Sequence, residues 1–282
     1  MKLPYDVGQY DEQKFLQKRL NELQTINETY WRQRSRVQWL QEGDRNTAFF
    51  HRRASNRKSR NTIKGLLNEE GVWSSDRDEV AKVLIQYYEN IFRAAPVDSD
   101  SLNTVLNSVH TLVTPEMNQE LMAGYTDIEI KEALFQMKPS KAPGPDGVSP
   151  CFFKKFWHIV GFDICLAVRE ILSTGRISQE SNFTHLTLIP KIPEPQTAAD
   201  LRPIALCNVI YRIASKVLAN RLKKILPEII SPLQSAFVPG RLISDNTLVA
   251  TEVAHFMKKL RRQKEGFFSL KLDISKAYDR LE

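Results

Sequence analysis

The chain has 282 residues, 42% of them hydrophobic, with a formal net charge of +7 and a pI of about 9.2. That length and apolar share suit one or two packed domains and exclude an intrinsically disordered chain. Three cysteines (Cys151, Cys165, Cys207) without CxxC spacing, no apolar run of about 18 residues and no apolar stretch at the amino terminus predict an intracellular protein, in nucleus or cytoplasm, without disulfide framework, membrane span or signal peptide.

The first predicted element is a helix over about residues 8–40, where Phe15, Leu16, Leu20, Leu23, Ile26 and Tyr30 recur at spacings of three to four. The basic character is local. Arg32, Arg34, Arg36, Arg45, Arg52, Arg53, Arg57, Lys58, Arg60 and Lys64 face only Glu42 and Asp44, a net +8 in a chain whose total is +7. Trp31, Trp39, Phe49, Phe50 and His51 are interleaved with these cations. Cations bind phosphates, and exposed aromatic faces stack on bases. The plainer alternative is a charged helix whose aromatics lie in the core.

Thr62–Leu67, the turn Asn68–Gly71 and Val72-Trp73 predict a small hairpin. Asp76 with Glu79 predicts a capping-box start to a helix that carries Val80, Val83, Leu84, Tyr87, Tyr88 and Ile91. Residues 94–113, with Pro96 and Asp98-Ser99-Asp100-Ser101, read as a linker. Thr114-Pro115 and Thr126 with Glu129 read as helix starts, the second helix running to Met137.

Lys138 to Gly147 holds three prolines and two glycines, which exclude helix and strand. A helix over Phe152–Ser173 follows, then a strand over Thr184–Pro190. Arg202 precedes a proline, so its backbone is expected to be extended. Ile210, Ile213, Ala214, Val217, Leu218, Leu222 and Ile225 predict a long helix that Pro227 and Pro232 end. Gln234–Arg241 reads as a loop and Leu242–Lys259 as a helix. Apolar residues from Phe267 to Leu272 predict a buried strand with Asp273 at its end and Ser275 capping a last helix.

Five segments in this order, KAPGPDG (141–147), LIPKI (188–192), LRPIAL (201–206), QSAFVPGR (234–241) and LKLDISKAYD (270–279), resemble the amino-terminal half of a non-LTR, LINE-type reverse transcriptase, plant elements above all. The stretch 31–51 is similar to the segment such polyproteins carry between endonuclease and polymerase. The resemblance implies an α+β chain: a mostly helical connector and fingers leading into an incomplete right-hand palm. It divides the chain into a basic helical connector, 1–113, and a partial polymerase domain, 114–282.

By resemblance, Asp273 is the first catalytic Asp and a ligand of Mg2+, with the Ile274 carbonyl as a further ligand. Lys191 and Arg202 match cations that hold the triphosphate of an incoming dNTP, and Tyr278 the ring that packs on its sugar. Gln234, Gly240 and Arg241 match a loop near the RNA template and DNA primer. Asp279 reads as orienting the turn. The family also needs an aromatic-x-Asp-Asp hairpin, and no Asp-Asp dipeptide occurs in these 282 residues. A two-metal site is therefore not expected from this chain alone. Two other readings stay open: a non-catalytic RNA- or DNA-binding module built on residues 32–64, and a pseudogene product without function.

Overall fold

The computed structural model describes residues 7–35, 47–94, 96, 98–260, 268–270 and 272. Among the described residues the order is mainly helical with four short strands, an α+β chain. It divides into two compact units, one formed by residues 1–87 with 187–204, the other by 88–186 with 205–282. The expected division at residue 113 falls inside the second of these.

In the first unit, α1 (Val7–Ser35) packs against α2 (Thr47–Asn61). Half-buried Trp31 meets His51 with ring centroids 4.2 Å apart, and Phe50 is buried. Phe50 is the buried position of α2, and Phe49, Ala54, Arg57 and Asn61 are half-buried. The apolar stripe of α1 from Phe15 to Ile26 is exposed.

The predicted hairpin is shorter than expected: β1 (Leu66–Leu67) pairs antiparallel with β2 (Trp73–Ser74). The Asn68 side chain accepts from the Glu70 and Val72 amides and closes the turn. Trp73 covers Gly65, where a Cβ would come within 2.6 Å of the indole ring. Asp76 caps α3 (Arg77–Phe92) by accepting from the Asp78 and Glu79 amides. Glu79 does not complete the expected box, because its carboxylate accepts from the Ser74 hydroxyl. Two further strands, β3 (His185–Pro190) and β4 (Leu201–Leu206), pair with each other.

The expected linker over 94–113 contains a helix, α4 (Ser99–Ser108). The polar run that looked like a break is its start, since Asp98 accepts from the Ser101 amide at 3.1 Å. Thr114 caps α5 (Pro115–Met122), with Pro115 in the first turn. Thr126 and Glu129 form the capping box of α6 (Asp127–Phe135).

The expected helix over 152–173 is two: α7 (Pro150–Lys155) and α8 (Trp157–Thr174), broken at Phe156. Lys154 of α7 donates to the carbonyls of Phe135 and Met137 and so satisfies the open end of α6. After the short α9 (Gln179–Asn182) and the strands comes α10 (Val209–Ile229). Pro227 lies inside its last turn and does not end it. Its missing amide hydrogen costs the bond to the Lys223 carbonyl, and two more residues complete the turn before the helix stops at Ile229.

The core of the second unit is where α6, α8 and α10 meet. Ile130 and Leu134, Ile164 and Val168, and Val209, Ile213 and Val217 interlock there. Burial pushes the thiol of Cys165, in this core, up to about 11. α11 (Ile243–Leu260) follows with Leu248, Val249, Val253 and Phe256 exposed.

The expected strand at 267–272 is corrected for the residues that are described. Phe268, Ser269, Leu270 and Leu272 have no regular structure, and the three apolar ones are at least 72% exposed. A strand needs a pairing partner for its amides, and among the described residues none lies beside this one.

Candidate functional site

The β3–β4 hairpin brings Lys191 and Arg202 onto one element. The Lys191 amide donates to the Asp200 carbonyl at 2.8 Å, which sets Lys191 opposite Asp200, two residues from Arg202. Leu201 is fully buried between them in sequence and anchors the start of β4. The 3-10 turn Ala198–Asp200 shapes the connecting loop. Its capping carboxylate, Asp200, accepts from the Gln196 and Thr197 amides and the Thr197 hydroxyl. The Thr197 amide and hydroxyl are the main reason its pKa lies below the usual carboxylate range.

The Lys191 ammonium donates to the Ala199 carbonyl at 3.0 Å and stays exposed. Arg202 is exposed, its extended backbone turning the guanidinium outward. The Leu67 amide donates to the Gln196 carbonyl at 2.7 Å, so the small hairpin buttresses the same loop. The result is a hydrogen-bonded loop with two exposed cations, Lys191 and Arg202, at its two ends. Such an arrangement suits a polyanion such as a triphosphate.

The loop 231–241 is built around Arg241. Its guanidinium donates to the carbonyls of Ser231, Gln234, Pro227 and Ile230. Ser235 and Val238 are buried, while Phe237, at a positive φ of 63°, is 96% exposed. Gln234 is exposed and Gly240 takes a φ of +79°. Arg241 thus holds backbone, and what the loop turns outward is largely apolar.

Asn208 and Arg212 are two residues of the second unit that sequence reasoning missed. Asn208, before α10, does not cap it. Its amide donates to the Glu180 and Ser181 carbonyls and its oxygen accepts from the Asp146 amide. Arg212 donates to the Ala142 carbonyl at 2.9 Å. Together they dock the Pro-Gly loop 138–147 on the start of α10, while Lys138 and Lys141 stay exposed. An Asn before an amphipathic run was visible. Its partners, as far as 62 residues away, were not.

Of the basic region, Arg52, Arg53, Lys58 and Arg60 are exposed on α2. Arg34 lies over the Tyr30 ring at 4.3 Å, and Arg32 and Arg57 are half-buried. Arg36 and Arg45 lie outside the described residues, as do Asp273, Ile274 and Tyr278. Among the described residues, no three His, Cys, Asp or Glu side chains gather to hold a metal ion, and no helix is long and apolar enough to cross a membrane.

An α+β chain with a cationic hairpin tip and a carboxylate at 273 fits part of a nucleotide polymerase. Comparison with known proteins agrees: residues 189–282 match the family described as reverse transcriptase (RNA-dependent DNA polymerase). The uncharacterized 149 kDa protein of transposon TX1 from Xenopus laevis is 31% identical over 249 residues, 88% of this chain and 19% of that protein. The Pol polyprotein of type-1 retrotransposable element R2 from Nasonia vitripennis is 27% identical over 154 residues, 55% of this chain and 14% of that protein. That of element R1 from Bradysia coprophila is 21% identical over 159 residues, 55% of this chain and 15% of that protein. Residues 189–282 are thus similar to the reverse transcriptases of non-LTR, LINE-type retrotransposons. The chain spans about a fifth or less of the length of these relatives.

Proposed function

We propose that this chain supplies the fingers and the first palm carboxylate of an RNA-directed DNA polymerase, and that these 282 residues do not polymerise by themselves. The observation that carries the reading is the hairpin tip with Lys191 and Arg202, inside the segment that matches the reverse transcriptase family. Lys191 and Arg202 grip the triphosphate of the incoming dNTP, the Lys as a point charge and the Arg as a fork. Tyr278 packs on its sugar. Gln234 and Gly240 line the path of RNA template and DNA primer, and Arg241 keeps that loop in shape.

The Asp273 carboxylate and the Ile274 carbonyl are hard oxygen donors of the kind Mg2+ prefers, and they would hold it. Such an ion supplies charge stabilisation at the reacting phosphate. One carboxylate is too few for a two-metal site, and no Asp-Asp pair occurs in the sequence to provide the others.

Primer extension by the full chain tests this. On an RNA template with a DNA primer, dNTPs and Mg2+, the expected result is no extension. Extension that Asp273→Asn abolishes would overturn it.

A second reading is favoured by the exposed cations of α2: the chain binds nucleic acid through this helix whether or not it polymerises.

A further inference from the structure

We propose that Ser55 is a phosphate-acceptor site for a basophilic serine/threonine protein kinase, and that its phosphate folds onto Arg52 and Lys58 and quenches the outward charge of α2. What the quenching does to RNA binding rests on the second reading above; the acceptor site does not.

The segment RRASNRK (52–58) places arginines three and two residues before Ser55, and further cations two and three residues after it. A kinase with an acidic substrate groove selects a hydroxyl by such neighbours. Guanidinium forks pair with its carboxylates, and an acid beside the hydroxyl would be repelled. No acidic residue lies between Asp44 and Glu69. Ser59, the other serine of α2, has Asn56 three residues before it and so lacks half of the leading pair.

A basic run alone does not make a site, and the fold supplies the rest. Ser55 is exposed, on the side of α2 away from Phe50, Ala54, Arg57 and Asn61. A kinase takes its substrate extended, so the helix has to open around the serine. After Phe50 no position of α2 is fully buried, and Ser55, Asn56, Ser59 and Asn61 are weak helix formers. Local opening of this half therefore costs little, while Phe50 and the Trp31–His51 contact hold the first turn. In the transfer, the base of the kinase takes the Ser55 hydroxyl proton and the oxygen bonds to the γ-phosphorus of ATP. The bond from that phosphorus to the bridging oxygen breaks, and ADP leaves with the electron pair.

Once the helix closes again, the phosphate has partners in place. Residues three apart on a helix are neighbours, with Cβ atoms about 5–6 Å apart. Arg52 and Lys58 flank position 55 from the turn before and the turn after, and both are exposed. Arg53 lies instead over the Phe49 ring, at 5.5 Å. A phosphoserine brings about −1.5 to −2 charges and three acceptor oxygens, enough for charge-assisted bonds to both flanking cations. Helix α2 carries Arg52, Arg53, Arg57, Lys58 and Arg60 and no carboxylate, so one phosphate cancels a large share of its charge.

The full chain, incubated with ATP, Mg2+ and either cyclic-AMP-dependent protein kinase or protein kinase C, tests the site, with an acidophilic kinase as control. A basophilic kinase is expected to add phosphate to the peptide that holds Ser55, as mass spectrometry reads, and the acidophilic one is not. Ser55→Ala should abolish that incorporation. No incorporation with either basophilic kinase, or incorporation that Ser55→Ala leaves unchanged, would overturn the assignment.

Phosphorus NMR of the phosphorylated chain tests the fold-back. The phosphate should titrate below the roughly pH 6 of a free phosphoserine, because neighbouring cations favour its dianion. Lys58→Gln should return part of that difference, and a phosphate that titrates as a free one would overturn the quenching. Fluorescence anisotropy with a single-stranded RNA at about 0.1 M salt reads the consequence. The phosphorylated chain is expected to bind about tenfold or more weakly than the untreated one, with a salt slope shallower by about one to two. Kinase-treated Ser55→Ala should bind as the untreated chain does. Equal RNA affinity before and after phosphorylation would overturn the quenching. Absence of RNA binding by the untreated chain would instead contradict the second reading and leave the acceptor site standing on its own test.

Discussion

Arg221→Met is expected to destabilise the second unit by about 2–4 kcal/mol, somewhat under the cost of breaking a fully buried charge pair because Glu129 partly faces solvent. Arg221 is 6% exposed. Its guanidinium makes a fork with both oxygens of Glu129, at 2.9 and 3.0 Å. It also donates to the carbonyls of Leu121, Ala123 and Gly124 and lies 4.0 Å from the Tyr125 ring centroid. One side chain thus satisfies the open end of α5, the start of α6 and its own charge. Methionine keeps much of the volume and none of the five bonds. Lysine is expected to do little better, since a point charge cannot fill a planar fork. Chemical denaturation followed by circular dichroism measures the loss.

The same pair sets an acid limb. Hydrogen bonding to Arg221 is the first cause that holds Glu129 at about 2, against an ordinary 4.5. A carboxylate whose folded pKa lies below its unfolded one adds stability that is complete above the unfolded value. That stability is lost as pH falls toward the folded value. The loss therefore falls between about pH 4.5 and 2, on the order of 2–3 kcal/mol after allowing for the part of Glu129 that faces solvent. Glu129→Gln should be less stable at neutral pH and should lack this limb. A limb of equal size in the variant would assign it to other carboxylates.

Gly144→Ala is the second large effect expected. A Cβ at position 144 would meet the Asn208 side-chain oxygen at 2.4 Å, its amide nitrogen at 2.6 Å and its Cα at 2.7 Å. Two of those three atoms are backbone at the start of α10 and cannot yield. The loop must lift, and the Asp146–Asn208 and Arg212–Ala142 bonds go with it. Overpacking and lost bonds together are expected to cost about 2–4 kcal/mol. Gly147, three residues on, has a positive φ of 72° and open space around it. Alanine there carries only backbone strain, about 1 kcal/mol. Equal losses at the two positions would contradict the docking of the loop on α10.

How much of this could be read from sequence depends on the range of each interaction. Local signals were legible. Thr114 before Pro115, and Thr126 with Glu129, marked helix starts because cap and partner lie three residues apart. The same locality misled at 94–113, where Asp98 and its serines open α4. The stapling residues were not legible. Arg221 reaches Glu129 across 92 residues and Arg212 reaches Ala142 across 70, and no local pattern marks either. For the site, the motifs identified the family, and Arg241 and Lys191 could be named as cations. Their carbonyl partners could not be named, because those depend on how each loop closes. The aromatics of α1 and α2 illustrate the limit: composition offered base stacking or a helix seam, and only the fold shows Phe50 buried and Trp31 against His51 while Tyr30 stays exposed.

The central claim is that the β3–β4 hairpin is the triphosphate grip of a reverse transcriptase. Photo-crosslinking of the full chain with an azido-dNTP, followed by peptide mapping, tests it most directly. The account predicts label on peptides that contain Lys191 to Arg202. Unlabelled dNTP should compete and nucleoside monophosphate should not, and Lys191→Ala/Arg202→Ala should reduce the label by about tenfold or more, as loss of charge-assisted bonds implies. Label that monophosphate removes equally well, or that the double variant leaves unchanged, would contradict it.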